Sequence, residues 1–129
     1  MKSGRGRPDH SQKLSTISAR SMKYKVEITP SAENDVEQAY CYIRNDSPVN
    51  AVRWRKQFYK IAGTLSRFPE GCGFALENEL VDFEVRQKLH GSYRILFTVD
   101  GNRVIVLHVR HCARRTMRPD DIDHPNRYP

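Results

Sequence analysis

The sequence has no long hydrophobic run, and this absence excludes two classes of protein. No apolar stretch approaches the roughly 20 residues of a membrane-spanning helix, and the N-terminal region lacks the apolar core of a secretory signal. A glycine-rich phosphate loop and a serine nucleophile elbow, which mark common nucleotide-binding and hydrolase sites, are also missing. We therefore expect a soluble protein that works in the cytoplasm and contacts no membrane.

Cysteine is scarce, which bears on disulfides and on metal binding. Cys41, Cys72 and Cys112 are the three cysteines, and no Cys-x-x-Cys pair occurs. An odd number of widely spaced cysteines does not make a disulfide framework. Cys112 with His108 and His111 is too small a ligand set for a structural zinc site. The sequence therefore predicts free thiols and neither a metal nor another cofactor.

Basic residues, in contrast, are abundant. The 129 residues include 22 Lys and Arg against 15 Asp and Glu, which gives a net charge of +7 and a pI near 9.6. With 38% hydrophobic residues, a chain of this length suits one small domain with a modest core. The excess of positive charge predicts an anionic partner, either nucleic acid, a ribosome or an acidic protein segment.

Both ends of the chain differ in composition from the middle. Residues 1–21 hold five basic residues against one acidic residue and show no apolar periodicity, so they are predicted to form a disordered basic tail. This tail could serve as a nucleic-acid-binding arm, but we favour a true start at Met22, because the folded pattern begins directly behind it. Residues 116–129 are rich in proline and aspartate and are predicted to form a loosely attached polar tail. Residues 22–115 remain as the folded domain.

The folded region begins with one strand and two helices. Residues 23–28 alternate between apolar and polar side chains, which predicts a half-buried strand. Thr29 and Pro30 suit the start of a helix that runs to about Arg44. The sequence Asn-Asp-Ser-Pro then ends this helix and starts another, capped by the aspartate or by Ser47. Apolar residues three or four positions apart predict one buried face for the second helix. These residues are Ala51, Trp54, Phe58, Ile61, Leu65 and Phe68.

The periodicity changes to two in the last third of the domain. Residues 84–89, 93–99 and 103–111 are predicted to form an antiparallel meander with tight turns at 90–92 and 100–102. The fold class is therefore α+β, with one strand, an antiparallel helical hairpin and a three-stranded antiparallel meander in one sheet. We expect the helices to cover one face of that sheet. The first strand should pair at an edge, next to the second or the fourth strand.

A set of side chains suited to phosphate chemistry falls on the meander. Arg86 and Lys88 share one strand face, because side chains repeat every second residue, and Arg94 on the next strand joins them if it falls on the same face. Such cations can straddle a phosphodiester and stabilise the charge that develops on it. His108 and His111 lie on opposite faces of the last strand, so only one of them can supply a general base or acid there. The simpler interpretation is a solvated basic face with structural histidines.

A second group of cations follows the last strand. Arg110, Arg114 and Arg115 come within six positions of one another, and no acidic residue occurs between Asp100 and Asp120. Clustered arginines without intervening carboxylates are typical of surfaces that bind an anionic partner. These three residues are therefore candidate binding residues.

Several short motifs follow one another between about Tyr24 and Arg115. They are Tyr24-Lys25-Val26, Thr29-Pro30, Ala32 and Asp35, Tyr42-Ile43, Ser47-Pro48 with Ala51, Leu65-x-x-Phe68-Pro69-x-Gly71, Arg86, Gly91-x-Tyr93-Arg94-Ile95-Leu96-Phe97, and Val106-Leu107-His108-Val109-Arg110-His111. Taken in order, these motifs resemble the RelE/ParE superfamily of bacterial toxins from toxin–antitoxin operons, and their order and spacing make the resemblance specific.

This resemblance implies a growth-inhibiting toxin of a type II module, such as a plasmid-stabilising one, which a cognate antitoxin neutralises in a hetero-oligomer. ParE-like members poison DNA gyrase by binding, and the Ser-Pro-x-x-Ala junction and long helical hairpin favour this branch. Arg53 and Lys56 on the hairpin would then contact the target.

Two alternatives stay open. RelE-like members cut mRNA on the ribosome as metal-independent endonucleases, for which Arg86, Lys88, Arg94 and one histidine, His108 or His111, would be the catalytic set. An inactive relative would bind only the antitoxin. The resemblance does not decide whether the chain is an enzyme.

Overall fold

A computed structural model describes residues 14–17 and 24–128. In this part of the chain five strands form one sheet, in the order β1-β2-β5-β4-β3, and two helices pack against it. β2 and β5 are parallel, and the other neighbouring strands are antiparallel. The elements are β1 (Ser15–Ile17), β2 (Lys25–Ile28), α1 (Pro30–Asp46), α2 (Pro48–Thr64), β3 (Arg86–His90), β4 (Tyr93–Asp100) and β5 (Arg103–His111). The predicted α+β class, with a helical hairpin and a meander, is confirmed.

The pairing of the first predicted strand is one of the two expected. β2 lies beside β5, the last strand of the meander. It is not at the edge of the sheet, however, because β1 pairs with its other side. β1 falls within the predicted disordered tail, so that prediction is corrected at residues 15–17. Residues 1–13 and 18–21 of the tail lie outside the described residues.

The start of α1 ties the helical hairpin to the sheet. Thr29 accepts a hydrogen bond at Oγ1 from the backbone N–H of Ala32, 3.0 Å away, as an N-cap does. The same hydroxyl donates to the carbonyl of Leu107 in β5, at 3.1 Å. At the other end of α1, Ser47 caps α2 through Oγ, with Pro48 in its first turn, as the sequence predicts.

Replacing Thr29 by alanine is expected to lower the free energy of unfolding by about 2 kcal/mol, because the fully buried hydroxyl serves both as a cap and as a donor to β5. Thr29→Ser keeps the hydroxyl and should retain most of that stability. Ser47→Ala removes an exposed cap alone and should cost about 1 kcal/mol. Urea unfolding of the three variants measures the difference. Equal losses for Thr29→Ala and Ser47→Ala would contradict a role for the bond to Leu107.

The end of α2 departs from the predicted apolar face. The helix ends at Thr64, and Phe68, which was expected on the buried face, is 74% exposed with φ of 50°. The α conformation is disfavoured before a proline, and Pro69 follows Phe68 directly. The Phe68 ring lies over Gly71, where an added Cβ would come within 2.7 Å of ring carbons. The Phe-Pro-x-Gly sequence therefore forms a turn rather than a last helical turn.

Two hydrophobic cores lie on opposite faces of the sheet. The helix-side core joins α1 and α2 to one face. The outer core covers the other face and is closed by two segments, residues 73–83 and 117–128. Its buried members are Ala75, Val85, Leu96, Ile105, Leu107, Met117, Ile122 and Tyr128.

The C-terminal segment is thus packed, which corrects the expectation of a loosely attached tail. Met117, Ile122 and Tyr128 are each less than one-tenth exposed within the outer core. Tyr128 also donates its hydroxyl proton to Asp123 at 2.9 Å, and its carbonyl accepts a bond from Arg103 in β5. Segment 117–128 therefore belongs to the folded unit as far as the structure describes it.

Candidate functional site

The predicted catalytic cations do not lie on one face of the sheet. Arg86 and Lys88 are paired across β3 and β4 with Phe97 and Ile95, which belong to the helix-side core. Arg94 is next to Ile95 in β4 and therefore points to the opposite face. Arg94 therefore does not lie on the same face of the sheet as Arg86 and Lys88, so it does not join them.

Arg94 is held in a buried ion pair. Its two terminal nitrogens donate to the two carboxylate oxygens of Glu77, at 2.9 and 2.8 Å. One of them also donates to Gln87 at 3.1 Å. Glu77 is fully buried and accepts a further bond from the N–H of Met117 at 2.9 Å. Burial alone would raise the pKa of Glu77, but the bonds from Arg94 and Met117 outweigh it and lower that pKa.

Arg86 also has structural partners. Its Nη1 donates to the carbonyls of Glu70 and Cys72, at 3.1 and 2.7 Å, and its guanidinium lies 4.2 Å from the ring centre of Phe74. Glu84 approaches Nη2 at 3.6 Å. Arg86 thus fixes the connection between α2 and β3, and this use of its donors removes it from the surface available to a substrate.

Lys88 and His111 are the two remaining members of the predicted set. Lys88 is exposed on β3 at the edge of the sheet. His111 lies on β5 and shares a face with Lys88, but all of β4 separates them, which places their backbones about 10 Å apart or more. The pocket that His111 lines, described below, does not include Lys88.

His108 has a structural place. Its Nε2 accepts a bond from the N–H of Asp123 at 3.0 Å, and its Nδ1 lies 3.4 Å from Asp35 on α1. It sits at an irregularity in the β4–β5 pairing and is buried. The histidine thereby connects α1, β5 and the C-terminal segment.

A pocket of about 500 Å³ opens between α1 and the end of β5. We name it the tyrosine pocket, because two tyrosines form part of its wall, one almost buried and one 70% exposed. Its lining consists of Asp35, Gln38, Ala39, Tyr42, Tyr93, Val109, His111, Ala113 and Arg114. Among the predicted site residues, the structure brings His111 and Arg114 together here.

Burial and hydrogen bonds determine what the polar groups of the tyrosine pocket can offer a ligand. Burial, with a smaller contribution from the nearby Tyr42, raises the pKa of Tyr93, so that its hydroxyl stays protonated near neutral pH. His111 accepts a bond at Nδ1 from the N–H of Ala113, at 3.0 Å, which leaves its Nε2 for a ligand. Asp35 accepts from the N–H of Val109 at 3.0 Å. The pocket can therefore offer donors and acceptors to a small planar group.

A cluster of cations follows the β5 residues of this pocket in the sequence, and Arg114 is the member that lines the pocket. Arg110 lies between Val109 and His111 on β5 and therefore points to the opposite face of the sheet. We call Arg110, Arg114, Arg115 and Arg118 the exit arginines, since they follow one another where the chain leaves β5. Burial is the largest cause that lowers the pKa of Arg110, and repulsion from Arg114 and Arg94 adds to it. Arg110 Nε donates to the carbonyl of Arg115 at 2.9 Å, which holds this part of the cluster together. Within the described residues, none of the exit arginines forms an ion pair.

A third surface lies on α2. Val49, Val52, Arg53 and Lys56 recur three or four positions apart and are exposed, so they form one face of the helix, which we call the hairpin surface. Val49 is 67% exposed and Val52 is 44% exposed. Large exposed apolar residues beside cations are typical of protein-binding surfaces. The predicted binding residues Arg53 and Lys56 therefore lie together, on a different element from the exit arginines.

The described residues contain neither a cluster suited to a metal ion nor a helix that could span a membrane. No cluster of three or more His, Cys, Asp or Glu side chains suited to a metal ion occurs in residues 14–17 and 24–128. Over the same range, neither helix has the length and apolar character required to cross a bilayer.

With this geometry established, comparison with known proteins gives the family. The family described as ParE toxin of the type II toxin–antitoxin system parDE matches residues 26–116, well over half of the chain. The chain belongs to this ParE toxin family. The resemblance to the RelE/ParE superfamily that the sequence predicts is confirmed, and the protein is a type II toxin–antitoxin toxin by family. The match ends at residue 116, so the packed segment 117–128 lies outside the matched residues.

A solved structure supports the ParE fold. It is described as the chromosomal ParDE TA system from P. aeruginosa, and its similarity to this chain has a TM-score of 0.57 at 17% sequence identity. The similarity covers 69% of this chain and 96% of that one. At this identity the likeness concerns the fold alone. Among curated proteins, none matches the sequence.

Sequence reasoning missed Glu77 and the tyrosine pocket. Glu77 lies in a short irregular segment without periodicity, but a signal existed, since an arginine flanked by apolar residues on a central strand requires a carboxylate partner. The pocket joins Asp35 and Tyr42 of α1 to residues more than 50 positions later. These pocket residues come together because β2 pairs in parallel with β5, which places the start of α1 near β5.

Proposed function

We propose that this ParE family member inhibits bacterial growth by binding DNA gyrase and not by cutting RNA. The proposal rests on the dispersal of the predicted nuclease set: Arg94 is bound to Glu77 on one face of the sheet, and Arg86 is bound to backbone carbonyls on the other. General acid–base catalysis needs its groups within hydrogen-bond reach of one reacting centre. Binding a target protein does not require these side chains to meet at one reacting centre.

We propose the hairpin surface as the site that meets the target. It combines two exposed valines with Arg53 and Lys56, and none of these residues belongs to the outer core or lines the tyrosine pocket. Apolar side chains supply the buried area of such an interface, while cations favour approach to an acidic partner and determine the association rate.

A cognate antitoxin is the second proposed partner. The outer face of the sheet is covered by segment 117–128 in this chain. An antitoxin segment that folds on binding would therefore find its free surface along the hairpin, and occupying the hairpin surface would neutralise the toxin directly. Both partners place the toxin in the cytoplasm.

Substitution on the hairpin surface is expected to relieve toxicity. Arg53→Ala with Lys56→Ala should raise the protein level needed for growth arrest about ten-fold, because removing charges at an interface slows association with an acidic target. Arg67→Ala removes an exposed charge beyond the end of α2, outside the hairpin surface, and should leave toxicity unchanged. Growth after titrated induction, normalised to protein level, is the measurement.

The nuclease alternative makes the opposite prediction for the sheet. Lys88→Ala with His111→Ala should stay toxic if the protein acts by binding alone. Loss of toxicity in this variant, with the Arg53 and Lys56 variant still toxic, would contradict the proposal.

Purified gyrase provides the direct test. The full chain is added to gyrase with relaxed plasmid and ATP, and both supercoiling and the cleaved plasmid released by detergent are measured. The proposal predicts inhibited supercoiling with accumulation of cleaved plasmid, and reversal by a stoichiometric amount of antitoxin. Unchanged gyrase activity at a large excess of toxin would refute it.

A further inference from the structure

We propose that the tyrosine pocket and the exit arginines together bind single-stranded nucleic acid, with one unstacked base in the pocket and the flanking phosphates on the arginines. This site is distinct from the hairpin surface and is not required for the proposed binding of gyrase. Neither cleavage nor any other covalent step is part of the proposal.

The pocket has the features of a base-binding site. Tyr42 is 70% exposed at its mouth, and Tyr93 forms a buried wall. Aromatic rings hold bases of any sequence by stacking, because every base has a π face. Tyr93 and His111 are themselves in edge-to-face contact, with ring centres 5.0 Å apart, so the wall is rigid. A volume of about 500 Å³ accommodates a planar ring system with its sugar.

Hydrogen-bonding groups line the same space. Gln38 offers both a donor and an acceptor, and Asp35 offers a carboxylate oxygen beyond the one that accepts from Val109. An exocyclic amine could donate to Asp35, while a ring nitrogen or carbonyl of the base could accept from Gln38 or from Nε2 of His111. A carboxylate inside the pocket also disfavours a phosphate there, which directs the backbone outward.

The exit arginines supply the anion-binding part of the site. Arg114 both lines the pocket and belongs to this cluster, so the two parts are continuous. The sequence from Gly101 to Pro119 contains no acidic residue that would repel a phosphate backbone. Within the described residues, Arg114 and Arg115 are exposed and form no ion pair, so both are available to phosphate groups.

An acidic peptide is the competing ligand, and the surface favours nucleic acid over it. Around the mouth, residues 112–116 are exposed and comprise Cys112, Ala113, Arg114, Arg115 and Thr116. This stretch offers cations but no large apolar side chain. A peptide interface normally has an apolar centre, whereas phosphate binding requires cations alone, with a ring to stack the base.

Fluorescence anisotropy with the full chain tests this site. The probes are labelled ten-nucleotide DNA and RNA strands of the same mixed sequence, the corresponding DNA duplex, and a ten-residue polyglutamate peptide. We expect a single strand to bind at least ten-fold more tightly than the duplex, because the duplex has no free base for the pocket. A preference for RNA or for DNA would support the site and identify which strand it uses.

Matched variants separate stacking from charge. Tyr42→Ala should weaken single-strand binding between about five-fold and 150-fold, the range for losing one base–aromatic stack, while Tyr42→Phe keeps the stack. Arg114→Ala with Arg115→Ala should reduce the slope of log K against log salt concentration by about 1.4, from roughly 0.7 per phosphate contact. Lys60→Ala is the charge control and should leave the slope unchanged.

Three results would overturn the proposal. They are equal binding of duplex and single strand, undiminished binding by Tyr42→Ala, and tighter binding of polyglutamate than of either strand. The gyrase assay stays independent, since a protein that fails to inhibit gyrase can still bind the strands, and the reverse also holds.

Discussion

Replacing Glu77 by alanine is expected to lower the free energy of unfolding by about 3–5 kcal/mol, measured by urea denaturation of the full chain. The substitution leaves the guanidinium of Arg94 buried without its partner, which is the costly way to break a buried ion pair. It also leaves the N–H of Met117 without its acceptor. Arg94 is 6% exposed, so water cannot replace the lost carboxylate without rearrangement.

Two control variants isolate the ion pair. Glu79→Ala removes an exposed carboxylate two residues away and should change stability by less than about 0.5 kcal/mol. Glu77→Leu with Arg94→Met replaces the pair by apolar side chains and should recover most of the loss, because no buried charge is left unpaired. A double variant as unstable as Glu77→Ala would show that the pair itself is not the cause.

The same pair gives stability a dependence on pH. The hydrogen bonds to Glu77 lower its folded-state pKa below the ordinary value of 4.5 despite burial. The stabilisation is therefore complete above about pH 4.5 and is lost as the pH falls through the lower folded-state pKa. Glu77→Gln removes this titration, so the stability difference between the wild type and Glu77→Gln should shrink below pH 4.5. A constant difference down to acid pH would contradict the assignment.

Replacing Tyr128 by alanine is the second substitution with a large expected effect, a loss of about 3–5 kcal/mol in unfolding free energy. The side chain is 3% exposed in the outer core and also donates a hydrogen bond to Asp123. Removing a buried aromatic ring loses its transfer free energy and leaves a cavity. Tyr128→Phe should cost only about 1 kcal/mol, for the hydrogen bond.

Arg127→Ala, at an exposed neighbouring position, provides the control and should leave stability nearly unchanged. Thermal unfolding of the three variants measures these effects. Unchanged stability in Tyr128→Ala would mean that segment 117–128 does not contribute to the cooperative unit, contrary to its packing on β4 and β5.

The sequence predicts those elements whose pattern is local. The helices follow from apolar spacing and from Thr29 and Ser47 as caps, and the boundaries of β5 are as expected. Segment 117–128 escaped prediction because its buried residues are separated by proline and aspartate and follow no helical or strand period. Its residues are buried against the outer face of the sheet, whose strands come from distant parts of the chain.

For the candidate site, the sequence predicts the types of residue involved but not how they are arranged. The sequence indicates cations on the meander, but not that Arg94 and Arg86 are bound to Glu77 and to backbone carbonyls. Those partners lie in residues 65–85. The sequence there has neither an apolar periodicity nor a capping motif from which the position of a side chain could be predicted. His111 and Arg114 were recognised as candidates, whereas their neighbours in the tyrosine pocket come from α1.

The central claim is that this toxin acts through gyrase and not on RNA. It is tested most directly by inducing the protein in a bacterium and following DNA synthesis and translation by label incorporation within minutes. If the toxin acts through gyrase, DNA synthesis should fall first, with induction of a DNA-damage response. Translation falling first, with DNA synthesis maintained, would contradict it.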